Sequence, residues 1–247
     1  MQDMHQHYNG MLVGLSYAVS VLGSFTALQF ALGIPLAQSG RQRWGAILAA
    51  GTAMGGGAIW AMHFIAMIAC NMGVQVTYDI PLTIASALLA IVACSLGLAM
   101  VGGGTFRFIN LLLAGMLMGL GVAGMHYIGM AAMLSSAIVS YDGSIVALSV
   151  GIAIVASMAA LWLAFNLRGK LQMLGSALVM GVAVCGMHYT GMSAMELMQG
   201  ATLPAGFEQG MQGEHLGLVI FVVVVILLAL ALGLSIVRQQ RRAALSI

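Results

Sequence analysis

The sequence predicts an all-α membrane protein with seven transmembrane helices, built as three repeated helical hairpins followed by a seventh helix. Two observations lead to this fold class. Only 6% of the 247 residues are charged and 62% are hydrophobic, whereas a soluble domain carries about 25% charged residues. The apolar residues also form long continuous runs rather than short alternating segments. Such runs favour helices over a β-barrel, because backbone groups in lipid must find their partners within the spanning segment.

Seven apolar runs are long enough to cross the hydrocarbon core of a bilayer, for which a helix needs about 20 residues. They are residues 11–33, 45–69, 80–101, 108–133, 144–166, 173–197 and 216–237. Residues 1–10 are polar and lack the basic region of a signal peptide. We therefore predict a periplasmic N-terminal segment (1–10), a seven-helix domain (11–237) and a cytoplasmic tail (238–247).

The distribution of charge predicts the orientation of the helices. All eight basic residues fall at connections on one side: Arg41, Arg43, Arg107, Arg168, Lys170, Arg238, Arg241 and Arg242. All six acidic residues fall on the other: Asp3, Asp79, Asp142, Glu196, Glu208 and Glu214. Cytoplasmic loops are rich in Lys and Arg. We therefore predict a protein of the bacterial inner membrane, surrounded by lipid, with its N-terminus on the outer side and its C-terminus on the cytoplasmic side. The basic residues form no single patch, so no nucleic-acid partner is predicted.

A histidine motif repeats three times along the chain, after 63 and then 62 residues, which is the length of one hairpin. The copies are Ala61–Met67, Gly124–Met130 and Gly186–Met192. They place His63, His126 and His188 on the second, fourth and sixth helices, which run parallel. The histidines follow the last basic residue of their connection by 20, 19 and 18 residues. With a rise of about 1.5 Å per residue, the three imidazoles are predicted to share one layer near the outer face.

The residues that share a helical face with the histidines predict a metal site. Positions i+4 and i+7 lie on the same stripe: Met67 and Cys70, Met130 and Met133, and Met192 and Met195. Thioether sulfur selects soft Cu(I), and imidazole accepts copper, zinc, iron or nickel. A neutral site is also less costly in lipid than a charged one. The sequence therefore predicts copper, with zinc as the main rival and Glu196 as a possible outer partner.

The motif resembles the signature of a known family. Met-His-Phe-Ile at 62–65, Met-His-Tyr-Ile at 125–128 and Met-His-Tyr-Thr at 187–190 resemble that of the MHYT family of bacterial integral-membrane sensor domains, over about residues 8–237. The resemblance implies copper near the outer face, a response to oxygen, carbon monoxide or nitric oxide, and an output domain of the cyclic-di-GMP type. It implies as ligands Met62, His63, Met125, His126, Met187 and His188, and Met67, Met130 and Met192 match its usual pattern. The first copy departs from the pattern at Phe64 and Ala66.

Three functions stay open at this point. The leading one is a sensor module that performs no catalysis. A copper-handling transporter or channel is the second, because further methionines lie in the inner half: Met54, Met116, Met118, Met173 and Met180. A haem- or copper-dependent membrane redox protein is the third, since three histidines at one depth could supply two axial haem ligands. The pair His5 and His7 is a candidate for delivering metal to the site from outside.

Overall fold

The structure is a computed structural model that describes residues 7–103, 107–166, 169–198, 200 and 202–244. His5, Arg168 and the last three residues of the predicted tail lie outside these ranges. The described residues form seven long helices: α1 (Gly10–Ala31), α2 (Gly40–Ala69), α3 (Ile80–Val101), α4 (Phe108–Ala131), α5 (Gly143–Asn166), α6 (Lys170–Ser193) and α7 (Gly213–Ala244). The first six are long and apolar enough to cross a membrane, and the apolar stretch found in α7, Gly213–Leu227, is shorter.

The helices α1 to α6 form a closed ring in which each packs against the next and α6 returns to α1. Helix α7 lies outside this ring, against α1 and α2. Large apolar side chains are exposed on the outer surface, among them Leu88, Val92, Leu120, Val155, Val182 and Phe221. A surface of this kind would aggregate in water and is favourable in lipid, so the chain is a multi-pass membrane protein.

Short antiparallel strands, which the sequence analysis did not predict, join the helices at the end of the ring where α1 begins. They are β1 (His7–Tyr8), β2 (Cys70–Asn71), β3 (Thr77–Tyr78), β4 (Met133–Leu134), β5 (Ile138–Tyr141), β6 (Met195–Met198) and β7 (Met211–Gln212). Strand β1 pairs with β2, β3 with both β4 and β7, and β5 with β6. Each hairpin is thus closed by a strand before its first helix and a strand after its second. The three hairpins are related by an approximate threefold axis through the centre of the ring.

An Asn or Asp residue caps the first helix of every hairpin at the equivalent position of the repeat. Asn9, Asp79 and Asp142 donate their backbone N–H to the carbonyls of Ala69, Ala132 and Ala194, at 2.9, 2.7 and 2.9 Å. Their side chains in turn accept hydrogen bonds from backbone N–H groups in the first turn of α1, α3 and α5. Capping of this kind stabilises a helix, and a carboxylate also interacts favourably with the helix dipole. Hydrogen bonds from the Ser144 side chain and backbone, and from the Ile145 backbone, hold the pKa of Asp142 below its ordinary value.

Helix α2 departs from regular α geometry before its histidine. Residues Ala53–Trp60 form a π-helix between two α-helical segments, Gly40–Thr52 and Ala61–Ala69. A Cβ atom added at Gly55 would overlap the backbone of Ala90 in α3, which shows how closely the two helices approach there. Interruptions of this type are rare and are found at functional sites.

Several boundaries differ from the prediction. Helix α2 begins at Gly40 rather than residue 45, because Ser39 caps it by accepting a hydrogen bond from the Gln42 N–H at 3.3 Å. Helices α4 and α6 end at Ala131 and Ser193, before the predicted 133 and 197, because the chain turns there into strands β4 and β6.

Candidate metal centre

The three histidines that the sequence placed in one layer meet on the threefold axis. The Nδ1 atom of His63 lies 3.0 Å from that of His188 and 3.2 Å from that of His126, and the third edge, between His188 and His126, is 3.3 Å. The three side chains are at most 1% exposed. They are also the one group of His, Cys, Asp or Glu side chains in the described residues with the spacing of a metal site.

The triangle of nitrogens has the dimensions of a ligand set for one ion. Its mean edge is about 3.2 Å. Dividing that edge by √3 gives about 1.8 Å from each nitrogen to the centre. Zinc–imidazole bonds are about 2.0–2.1 Å, so an ion slightly above the plane of the three nitrogens would reach this distance to all of them. The residues therefore fit a metal ion.

Protons alone do not satisfy these three nitrogens. A neutral imidazole carries a proton on one nitrogen and a lone pair on the other. Each close Nδ1 pair needs one donor and one acceptor, and a triangle can meet that condition on two of its edges at most. At least one edge must therefore place two N–H groups or two lone pairs face to face. Because buried groups without partners are costly, the triangle favours a cation that all three lone pairs can contact.

The outer nitrogens of two of the imidazoles face the next helix that carries a histidine. Nε2 of all three histidines is buried and has no hydrogen-bond partner among the described residues. A Cβ atom at Gly129 in α4 would overlap Nε2 of His63, and one at Gly191 in α6 would overlap Nε2 of His126. These two glycines therefore provide the space in which the imidazoles lie. Ala66 stands at the equivalent position of the first copy.

Replacing Gly191 by alanine should displace the His126 ring, because the added Cβ and the imidazole occupy the same space. We expect the affinity for metal to fall about 10- to 100-fold, the range seen when groups that orient a ligand are altered. The measurement is a competition titration with a metal chelator. Gly186→Ala is the matched control, since a Cβ there meets no atom within 4 Å. Equal affinities in the two variants would contradict this role of Gly191.

All six methionines predicted as ligands are buried. Met62, Met67, Met125, Met130, Met187 and Met192 are between 0 and 3% exposed. Met187 packs with Ala123 and Ala153 in a small cluster between helices, whereas Met67, Met130 and Met192 belong to the main core. Their role as ligands stays a prediction.

The prediction that the helical face shared with each histidine extends to position i+7 is wrong. Cys70, Met133 and Met195 lie in strands β2, β4 and β6, beyond the ends of the helices that carry the histidines. They are therefore no longer on the helical face that the argument assumed. Glu196 also lies in β6, where it accepts a hydrogen bond from Ser140 at 3.3 Å.

An aromatic side chain follows each histidine in the motif and packs against its ring. Phe64, Tyr127 and Tyr189 each lie edge-on to the preceding histidine, with ring centroids 4.8, 4.8 and 5.0 Å apart. Each also contacts a tyrosine that precedes a helix cap. The pairs are Phe64 with Tyr78 at 5.7 Å, Tyr127 with Tyr141 at 6.0 Å, and Tyr189 with Tyr8 at 5.7 Å. A Tyr-Asn or Tyr-Asp pair before every first helix was the signal available in the sequence.

A serine seven residues after each cap completes the repeat, at Ser16, Ser86 and Ser149. The Tyr127 hydroxyl lies 2.6 Å from the Ser149 hydroxyl, and that of Tyr189 lies 3.5 Å from that of Ser16. Phe64 has no hydroxyl, and the Trp60 indole N–H donates to Ser86 at 3.2 Å instead. A different donor thus replaces the missing tyrosine hydroxyl where the first copy departs from the motif.

The comparison with known families agrees with this threefold arrangement. The model of a bacterial signalling protein N-terminal repeat, MHYT, matches at residues 56–114, 119–177 and 181–247. The chain belongs to the MHYT family. Each match contains one of the three histidines, and the resemblance inferred from the motif is confirmed.

Characterised relatives of this MHYT chain are signalling proteins. It is 39% identical over 245 residues to the bifunctional diguanylate cyclase/cyclic di-GMP phosphodiesterase MucR of Pseudomonas aeruginosa, covering 97% of this chain and 35% of that protein. It is 35% identical over 246 residues to the cyclic di-GMP phosphodiesterase NbdA of the same organism, covering 97% and 31%. The chain thus spans about a third of the length of these relatives. No solved structure matches it.

Proposed function

We propose that this MHYT chain is the sensor module of a signalling protein, and that it holds one copper ion between His63, His126 and His188 and responds to a diatomic gas. The observation that carries the proposal is the buried triangle of Nδ1 atoms, whose edges are 3.0–3.3 Å long. Without a cation at its centre, at least one edge would bring two lone pairs or two N–H groups together.

The surroundings of the triangle favour copper over harder ions. Ca²⁺ and Mg²⁺ take oxygen ligands, and the metal-sized group in the described residues contains three histidines and no carboxylate. Met67, Met130 and Met192 lie one helical turn beyond the histidines and are buried, so they are the candidates for additional thioether ligands. Imidazole with thioether is a donor set that suits copper, and zinc, which also accepts imidazole, remains the rival.

The position of the site suits a ligand that arrives from outside the cell. The histidines lie five or six residues before the ends of α2, α4 and α6, which is about 8–9 Å along each helix. The charge distribution predicts that this end faces the periplasm, with seven spans, the N-terminus outside and the C-terminus inside the inner membrane. Copper held by three imidazoles would keep a coordination position to which oxygen, carbon monoxide or nitric oxide could bind. The chain's own contribution is to orient the imidazoles and exclude water from them.

The output of the module is proposed from its relatives. MucR and NbdA are by name enzymes of cyclic di-GMP turnover, and this chain covers about a third of each. Helix α7 packs against α1 and α2, and α2 carries His63. A movement of α2 at the site would therefore act on α7, whose C-terminal end would lead to a cytoplasmic cyclic-di-GMP domain or partner.

The spacing of the rings disfavours haem as the cofactor. The centroids of the three imidazoles lie 5.0–5.1 Å apart, around one point. This arrangement has room for a single ion between the nitrogens and no slot for a porphyrin between two of them.

Copper content is the direct test of the metal. Protein purified in detergent from copper-replete membranes should contain at least one copper per chain by elemental analysis, because the three Nδ1 atoms can bind one ion together. A preparation that carried zinc or iron in place of copper would refute the assignment. Copper added to metal-free protein should restore the same stoichiometry.

A further inference from the structure

Three methionines repeat the symmetry of the histidines deeper in the ring. Met118 and Met180 precede His126 and His188 by eight residues, and Met54 precedes His63 by nine. The π-helix of α2, Ala53–Trp60, covers most of that last interval. A π-helix accommodates one additional residue, so that the α-helical segment after it presents the same face as in the other two helices. The three methionines are therefore equivalent about the threefold axis. Eight residues of α-helix place them about 12 Å from the histidines.

The residue after each of these methionines supports the equivalence. Gly55, Gly119 and Gly181 lie against the neighbouring helix of the ring, and an added Cβ would meet Ala90 of α3, Ile154 of α5 and Val21 of α1 respectively. The three contacts follow the same direction around the ring. Each glycine thus faces the neighbouring helix that carries no histidine, and the methionine before it faces the centre of the ring.

The three methionines line one cavity. It has a volume of about 30 Å³, and Met54, Met118 and Met180 all contribute to its wall. They are between 2 and 4% exposed. A water molecule or an ion needs about 10–15 Å³ of such space, so one small particle fits. Ile59, Val122 and Val184, each four residues before a histidine, also line the cavity, as does Met187 beside His188.

A polar atom in the wall indicates that the cavity is made for more than apolar packing. Ser24 of α1 is fully buried and lines the cavity, and its hydroxyl has no hydrogen-bond partner among the described residues. An unpaired buried hydroxyl is costly, and a cation in the cavity would provide a contact for its oxygen. Thioethers are neutral, soft ligands that select Cu(I) among the biological metals. A monovalent ion is also the least costly charge to hold at this depth.

We propose that Met54, Met118 and Met180 form a second site, specific for a soft monovalent cation of the Cu(I) type, on the axis below the three histidines. The Met118 sulfur lies beside Gly97 of α3, where an added Cβ would come within 3.2 Å of it. The thioether of Met118 is flexible and would turn from this position against α3 to contact an ion in the cavity. The inference is independent of the gas response and of whether the histidines hold copper.

Silver(I), a redox-inert soft cation, is the probe for this site. Full-length protein in detergent is titrated with Ag(I), and X-ray absorption at the silver edge separates sulfur from nitrogen neighbours. We expect one sulfur-coordinated Ag(I) per chain in a His63→Ala, His126→Ala, His188→Ala variant, in which the histidine site is disabled. All further substitutions are made in this histidine variant. We expect the ion to be lost when Met54→Leu, Met118→Leu and Met180→Leu are added.

The control variant removes three other sulfurs, through Met100→Leu, Met116→Leu and Met173→Leu, and should keep the sulfur-coordinated ion. Leucine and methionine have similar volumes, and such exchanges are well tolerated in cores. If the triple methionine variant does not fold, the single variant Met180→Leu replaces it. That variant should bind Ag(I) at least about tenfold more weakly. The proposal is overturned if the histidine variant that also lacks Met54, Met118 and Met180 keeps the ion, if the control loses it, or if the histidine variant binds no sulfur-coordinated silver because the cavity holds water.

Discussion

Replacing His126 by alanine is expected to abolish tight metal binding at the three-histidine site. His126 supplies one of three Nδ1 atoms, at 3.2 Å from that of His63 and 3.3 Å from that of His188. Changes to residues that only orient a ligand cost about 10- to 100-fold in metal affinity, so removing a ligand should cost more than about 100-fold. Competition against a chelator of known affinity measures the effect, and elemental analysis should find one copper ion fewer per chain than in the unaltered protein.

The control for this variant is His215→Ala, which removes an exposed histidine at the beginning of α7. It should bind metal with unchanged affinity, because His215 is no part of the triangle. His63→Ala and His188→Ala should behave as His126→Ala does, since the three positions are equivalent about the axis. A copper content equal to that of the unaltered protein in any of these three variants would show that the ligands lie elsewhere.

The histidine layer was predictable because it follows from the length of the repeat and from the number of residues between each histidine and the basic residue before it. The three copies recur at the length of one hairpin, and a helix rises by a fixed amount per residue, so similar distances from the preceding basic residues gave similar depth. The same regularity misled the prediction at Cys70, Met133 and Met195. Nothing in an apolar run marks where a helix turns into a two-residue strand, and the pairing that ends these helices involves residues far away in the chain.

The repeat on the first helix of each hairpin was missed because the histidine motif is more conspicuous. The pattern of a tyrosine, Asn or Asp, and a serine seven residues later is present at Tyr8, Tyr78 and Tyr141. Its acidic members were interpreted only as indicators of orientation, whereas Asp79 and Asp142 cap α3 and α5.

The contacts between the copies could not be read from the sequence for a physical reason. Which tyrosine meets which motif depends on how the hairpins close the ring. Tyr8, at the beginning of the chain, contacts Tyr189 of the last copy at 5.7 Å, and local patterns contain no information about that closure.

The response to gas is expected to depend on the same histidines. With a cyclic-di-GMP synthase fused after Ile247, nitric oxide, oxygen or carbon monoxide should change the output of the unaltered sensor, and His126→Ala should show no change. A ligand shifts a conformational equilibrium only by its differential affinity for the two states. Coupling between sites is typically about 1–3 kcal/mol, so the change should be about 5- to 150-fold. Cyclic-di-GMP produced by membranes with and without each gas is the measurement.

The structure suggests how that coupling would reach the fused enzyme. The site joins α2, α4 and α6 at one end, and α2 packs against α7, the helix that leads to the fusion. A shift of α2 relative to its neighbours would therefore alter the position of α7, whereas α4 and α6 would act through the ring. His215→Ala is again the control and should respond as the unaltered protein does. If His126→Ala and the unaltered protein respond equally to all three gases, the histidine site is not the sensor, whatever metal it holds.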